Sequence, residues 1–376
     1  MKKKIIYIAA VFLMLAVAVK CSKIVKVTDA ITNPTAREVY AREFKNDTVV
    51  FANWQRAYSA SVNDSLEISL PYGEKGVFSK GRTVAYSYNF SLEEGEVLVV
   101  DVAKDSLNQR VFIDLFEKSD SIYRHIESNK INSASIVFEP KQSGVYKLVV
   151  QPEIMASGNF FISIAKKPGY GFPVSGHGNS AIGSFWGMER DGGKRNHEGI
   201  DIFAKRGTPV VAVTNGTISR TGDQGLGGKQ VWQRDGLFGY SIYYAHLDSI
   251  NTEGGRRVKT GDTIGFVGNT GNAKFTLPHL HFGIYKGFGG AINPLPFVYK
   301  IPEVNAAQFP RNYTVKTLKI KSKANIRKGP EAAYAKIGEL KANDTVTLLG
   351  QHKDWLHIKT ATGQQAFISK TLVKNI

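Results

Sequence analysis

Only one cysteine, Cys21, occurs in the 376 residues, so no disulfide can form within the chain. The apolar run near the N terminus, Ile5 to Val19, is also limited. It stops at fifteen residues, short of the roughly 20 that a membrane-spanning helix needs, and so reads as an export signal more than as a permanent anchor. Acidic residues are few, 32 against 49 Lys and Arg, and the formal charge of +17 implies attraction to polyanions or to an acidic surface. Even so, no recognised nucleic-acid motif is present, and nucleic acid is not expected as a partner. Histidine is scarce as well. Of eight in the chain, four (His197, His246, His279 and His281) fall between Asn196 and His281.

That window sets the question of function. Side chains on a strand repeat with period two, so His279 and His281 project from one face. His197 and Asp201, four apart, share a face on a strand or on a helical turn. Two such pairs facing each other supply three ligands to one ion and leave a histidine over. Zinc takes imidazole nitrogen and carboxylate oxygen at about 2.0 to 2.2 Å, and a catalytic zinc keeps three protein ligands and an open position. Two histidines and one aspartate fit that scheme.

The same residues match a family pattern. The His197-Glu198-Gly199-Ile200-Asp201 element, the later His279-Leu280-His281 element and a lone histidine in the strand Tyr243-Tyr244-Ala245-His246-Leu247 resemble the lysostaphin-type zinc endopeptidases, which cut bacterial cell-wall peptides. Gly183-Ser184-Phe185-Trp186-Gly187, Gly207-Thr208-Pro209-Val210, Asn215-Gly216-Thr217-Ile218 and Val267-Gly268-Asn269-Thr270-Gly271 extend the resemblance over residues 170 to 298. Carried over position by position, it makes His197, Asp201 and His281 the ligands of Zn2+ and makes His246 and His279 the non-ligand catalytic pair. The chemistry agrees. Hydrolysis of a peptide carbonyl needs a nucleophile at neutral pH, zinc lowers the pKa of bound water to near 7, and a neighbouring imidazole can take the proton or steady the oxyanion. His125, His177, His352 and His357 have no such partners in the sequence and are read as structural.

The remainder of the chain divides around this window. Met1-Lys2-Lys3-Lys4 and the apolar run, followed at once by Cys21, resemble a bacterial lipoprotein signal, which implies removal of residues 1–20 and a lipid on Cys21 that holds the protein to a membrane. Residues 21–64 read as a tether with one short helix, which the T-x-x-E capping box Thr35 to Glu38 would start. Residues 65–167 carry short apolar runs at Leu66–Leu70, Val84–Phe90, Val97–Val102, Val111–Phe116, Ile136–Phe138, Val145–Val150 and Phe160–Ile164, the pattern of an antiparallel β-sandwich. Lys166 to Pro173 is a linker by composition. Residues 314–376, with Ala324-Asn325-Ile326-Arg327-Lys328-Gly329-Pro330 and the strand Trp355-Leu356-His357-Ile358, resemble a bacterial SH3-like domain and carry +8 of the charge.

The expected architecture is therefore all-β, with a sandwich, a zinc peptidase sheet and a small SH3-like barrel. The expected function is hydrolysis of peptide cross-links in peptidoglycan by an exported, membrane-tethered lipoprotein facing the cell wall or periplasm. Two other readings remain open: a wall-binding scaffold or activator that does not cut, and a secreted protease of glycine-rich proteins.

Overall fold

Thr35 starts the first described helix, α1 (Ala36–Ala41), by the reciprocal bonding its sequence encodes: Glu38 N donates to Thr35 Oγ1 at 3.2 Å and Thr35 N donates to Glu38 Oε2 at 2.7 Å. The computed structural model describes residues 32, 34–44, 49–105, 109–190, 192–236, 239–304, 306 and 317–375. The export signal and Cys21 lie outside these residues.

The expectation of a tether up to residue 64 is corrected by a second helix, α2 (Val49–Val62). Phe51, Trp54, Tyr58 and Val62 repeat at helical spacing and form the face that packs on the sandwich. There the Trp54 indole donates to the carbonyl of Pro152 at 2.9 Å. From α1, Arg37 reaches the buried Asp114 at 2.8 Å, so both helices are fixed to one outer sheet.

The sandwich has strands β1 (Tyr72–Phe78), β2 (Tyr86–Leu92), β3 (Glu96–Lys104), β4 (Val111–Ser119), β5 (Ile122–Ser128), β6 (Ser135–Phe138), β7 (Gly144–Pro152) and β8 (Gly158–Pro168). One sheet runs β1-β8-β3-β6 and the other β2-β7-β4-β5, all antiparallel. Leu98, Val100, Ile162 and Ile164 of the first bury against Tyr88, Ile113, Leu148 and Val150 of the second. Two strands differ from expectation. Leu66–Leu70 makes only a single bridge, Glu67 to Asn89, and the strand begins after Pro71, which has no N–H to give a ladder. β5 escaped notice because its side chains are largely exposed and lack alternation.

The peptidase region contributes β9 (Ile182–Ser184), β10 (Glu189–Arg190), β11 (Arg195–Asn196), β12 (Ile200–Phe203), β13 (Pro209–Val211), β14 (Gly216–Asp223), β15 (Lys229–Arg234), β16 (Ser241–Ile250), β17 (Arg257–Val258), β18 (Thr263–Val267), β19 (His279–Tyr285) and β20 (Ala291–Ile292), then the short helix α3 (Leu295–Val298). Its main sheet has the order β17-β14-β15-β16-β19-β12-β9. Ile200 and Ile202, Ile242 and Tyr244, and Leu280, Phe282 and Ile284 all point into one core. By the period of two, Asp201, Tyr243, His279 and His281 face the other way. The region is seated on the sandwich where Tyr240 and Lys286 reach Glu94 at 2.5 and 2.7 Å.

The C-terminal strands are β21 (Thr317–Ile320), β22 (Ala324–Arg327), β23 (Lys336–Leu340), β24 (Thr345–His352), β25 (Trp355–Thr360), β26 (Gln365–Ser369) and β27 (Val373–Asn375). They do not stand apart from the sandwich. β24 pairs with β1, Lys75 opposite Gln351 and Gly76 opposite Gly350, so one sheet runs through both units. Leu349 and Phe367 lie in the sandwich core. At the seam the fully buried Glu74 accepts from Tyr72 Oη at 2.5 Å, Tyr88 Oη at 2.9 Å and His357 Nδ1 at 3.0 Å. Gly350 must be glycine here, because a β-carbon would lie 2.0 Å from Glu74 Oε1.

Candidate active site

Three strands, and the turn that leads into the first of them, deliver the five predicted residues to one cleft of about 1030 Å³ on the open face of the peptidase sheet. Asp201 on β12 pairs in register with His281 on β19, and Ala245 on β16 is His281's partner on the other side. His197 lies just before β12. Its Nε2 is 3.0 Å from Asp201 Oδ1 and 3.0 Å from His281 Nδ1, while His281 Nδ1 is 3.1 Å from the same carboxylate oxygen. These three residues form a group able to hold a metal ion. The approach of β19 to this corner depends on Gly199, where a β-carbon would meet the His281 ring at 2.7 Å.

The chemistry of the donors calls for a cation. The carbonyl of Phe185 lies 2.9 Å from His197 Nδ1 and can only accept, so Nδ1 carries the ring hydrogen and Nε2 presents a lone pair. That nitrogen faces a carboxylate oxygen, and the two atoms at 3.0 Å repel unless a positive charge, a metal ion or a proton on the ring, lies between them. Two imidazole nitrogens with one carboxylate oxygen are a donor set that suits zinc. Burial works to raise the Asp201 carboxyl, but the two imidazoles beside it prevail and hold it well below the usual carboxylate range. Its second oxygen, Oδ2, accepts from Arg190 Nη2 at 3.0 Å, which leaves Oδ1 for the corner.

His246 and His279 stand next to this corner, their rings 5.1 Å apart, with His246 5.8 Å from the His281 ring. Neither makes up the three-atom cluster. His246 reaches the cleft by an irregularity: Lys229 pairs with Leu247 and Val231 with Tyr244, so Gln230 alone opposes both Ala245 and His246. This bulge, with His246 at φ 60°, turns two consecutive side chains into the same cleft. The His246 Nδ1–H donates to Thr270 O at 2.9 Å and the His279 Nδ1–H to Leu277 O at 2.8 Å. Burial, helped by the neighbouring His281 and His279, pushes the His246 imidazole down to about 4, so it is neutral at pH 7. Burial likewise lowers His281.

Sequence reasoning missed the supporting residues. Arg190 is bonded to both Asp201 and the Ser184 hydroxyl. Trp232, Tyr243 and Tyr285 form an aromatic wall running away from the metal corner, with ring separations of 4.4 and 5.2 Å from Trp232. Period-two alternation on strands could have found that wall. The carbonyls of Phe185, Thr270 and Leu277 leave no trace in a sequence.

Comparison with known proteins gives this arrangement a family. Residues 195–294 match the model described as Peptidase family M23. The chain carries an M23 peptidase domain. Residues 322–374 match the model described as Bacterial SH3 domain. The M23 domain is similar to an L-Ala–D-Glu endopeptidase of Bacillus subtilis, 37% identical over 129 residues, 32% of this chain and 39% of the relative. It is also similar to lysostaphin of Staphylococcus simulans, 35% identical over 138 residues, 35% of this chain and 24% of the relative. A glycyl-glycine endopeptidase, ALE-1, of Staphylococcus capitis is 38% identical over 109 residues, 27% of this chain and 29% of the relative. The chain thus spans well under half the length of each. Among solved structures, the lysostaphin catalytic domain from Staphylococcus simulans matches at 34% identity over 31% of this chain and 89% of that one, with a TM-score of 0.28.

Proposed function

We propose that the protein is an exported zinc metalloendopeptidase that hydrolyses peptide cross-links of bacterial peptidoglycan. The observation that carries this reading is the convergence of His197 Nε2, Asp201 Oδ1 and His281 Nδ1, with two further imidazoles beside them that stay out of the corner. These three atoms are the ligand set. When bound, zinc supplies the Lewis acidity that polarises a peptide carbonyl and acidifies water. His246 and His279 each spend Nδ1–H on a backbone carbonyl and so present a bare Nε2 to the cleft. Neutral imidazole in that state takes a proton from the attacking water. The imidazolium so formed gives the proton to the leaving amine or steadies the oxyanion. Arg190 keeps the Asp201 carboxylate oriented.

The substrate class rests on the named relatives, two of which are endopeptidases of quite different peptide bonds, L-Ala–D-Glu and glycyl-glycine. The bacterial SH3 domain supports a cell-wall partner, and the net charge of +17 supports an acidic one. A lipid on Cys21 would hold the enzyme at a membrane within reach of the wall. The test is metal content of the purified chain beside a digest of sacculi with the released peptides identified. Stoichiometric zinc and newly freed cross-bridge ends are expected. Zinc-free protein that binds sacculi and releases nothing would overturn the reading in favour of a wall-binding scaffold.

A further inference from the structure

Both histidines outside the metal corner are oriented by the same stretch of chain. His246 on β16 and His279 on β19 come from different strands, yet their Nδ1–H groups end on carbonyls of one loop, Thr270 O and Leu277 O, at 2.9 and 2.8 Å. A carbonyl only accepts, so each bond selects the tautomer with hydrogen on Nδ1 and a lone pair on Nε2. The loop is itself held at both ends. Thr270 Oγ1 donates to Leu247 O at 2.8 Å and accepts from Lys229 N at 3.0 Å, which ties its backbone to β16 and β15. The Asn269 amide donates to Lys274 O and Thr276 O at 3.4 and 3.3 Å, and its oxygen accepts from Arg206. Thr276 Oγ1 donates to Ala273 O at 2.8 Å, which closes the turn before Leu277.

We propose that the loop 269–278 is a single positioning element that sets the ring tautomer of both His246 and His279, with Thr270 its principal positioning residue. This rests on the hydrolytic reading above for its catalytic consequence, but not for its structural one. Thr270 touches no reacting atom. It acts by fixing the carbonyl that His246 bonds. Losing the hydroxyl frees the backbone at 270 to rotate, the His246 ring then samples both tautomers, and the fraction with Nε2 free falls.

The experiment compares Thr270→Val, which keeps the side-chain shape, with Thr270→Ser, which keeps the hydroxyl. Both are made in the full zinc-loaded chain with ¹⁵N-labelled histidine. Long-range ¹H–¹⁵N spectra report the tautomer of each ring, with His246 and His279 assigned by their single alanine variants. Wild type should show both rings hydrogenated on Nδ1. Thr270→Val should move His246 to a tautomer mixture and lower kcat in proportion to the fraction of rings that lose the free Nε2, with KM within twofold and zinc content unchanged. Thr270→Ser should restore both readouts. A Thr270→Val protein with wild-type tautomers overturns the proposal, whatever its activity. So does a loss of rate that Thr270→Ser fails to rescue, or one that comes with lost zinc. Should wild-type protein cut no peptide, the hydrolytic reading fails by itself, and the spectra still decide the role of the loop.

Discussion

Replacing His357 with leucine tests whether the sandwich and the SH3 strands form one cooperative body. Glu74 and His357 are both fully buried and 3.0 Å apart, so the leucine removes one of three donors from a carboxylate that water cannot reach. Removing one partner of a buried pair costs about 3–5 kcal/mol. A second route gives the same size. If Glu74 escapes by taking up a proton at pH 7, raising it from an ordinary value near 4.3 costs about 3–4 kcal/mol at 1.36 kcal/mol per pH unit. For a body of this size, each kcal/mol lowers Tm by about 2–4 °C, which places the expected shift at roughly 6–20 °C. Scanning calorimetry of the full chain is the assay. The transition containing the sandwich and the SH3 strands should fall together, and the transition that zinc raises should stay in place. In a Glu74→Gln background the same leucine should cost at least 1 kcal/mol less, since no charge is then stranded. A shift below about 1 kcal/mol, or a separate early melting of the SH3 strands alone, would refute the single-body argument.

Four other outcomes are expected. Burial works to raise the Glu74 carboxyl, but His357 and the two tyrosines hold it below the usual range, so the stability it contributes is complete above the unfolded carboxyl value and is lost as pH falls through the folded one. Wild type and His357→Leu should therefore converge in urea midpoint as the solution is acidified. His281→Ala should lower zinc content by removing one of three donors, while His246→Ala should keep zinc and lose about 10²- to 10⁴-fold in turnover, both read by metal analysis beside a peptide-cleavage rate. Arg190→Ala, which frees Asp201 Oδ2, should weaken zinc affinity about 10- to 100-fold in a chelator competition. Cys21→Ser should release the protein from membrane fractions, and wild type already soluble in those fractions would remove the lipid from the account.

The metal corner was legible because its parts are chemically loud and regularly spaced. His279 and His281 sit two apart on a strand whose intervening residue, Leu280, is fully buried, so alternation alone puts both on the open face. Asp201 between Ile200 and Ile202 repeats the same logic. His246 was legible only by resemblance, since strict alternation would have sent it and Ala245 to opposite faces. The bulge opposite Gln230 defeats that rule and has no residue signature of its own. Helix α2 was missed for the opposite reason. Its stripe of Phe51, Trp54, Tyr58 and Val62 is plain at helical spacing, but the stretch follows the apolar leader and reads as part of a tether.

The seam between the sandwich and the SH3 strands was the least legible feature, and its chemistry explains why. β1 carries Gly73, Glu74 and Gly76, residues that disfavour a strand taken singly. Gly76 is there because a β-carbon would lie 2.4 Å from Leu349 O on the neighbouring strand, and the glutamate is there because His357, 283 positions later, meets it. Neither half of that pair has a meaning without the other, and a lone buried acid or histidine is read as a surface residue by default. The consequence reaches the peptidase region, which is inserted in sequence between two parts of a single sheet. It is bonded to that sheet's own body at Glu94, which accepts from Tyr240 and Lys286, and Lys286 immediately follows the strand that carries His279 and His281. The SH3 strands and the strand that carries His279 and His281 thus meet the same sandwich, the first by pairing with β1 and the second beside Glu94.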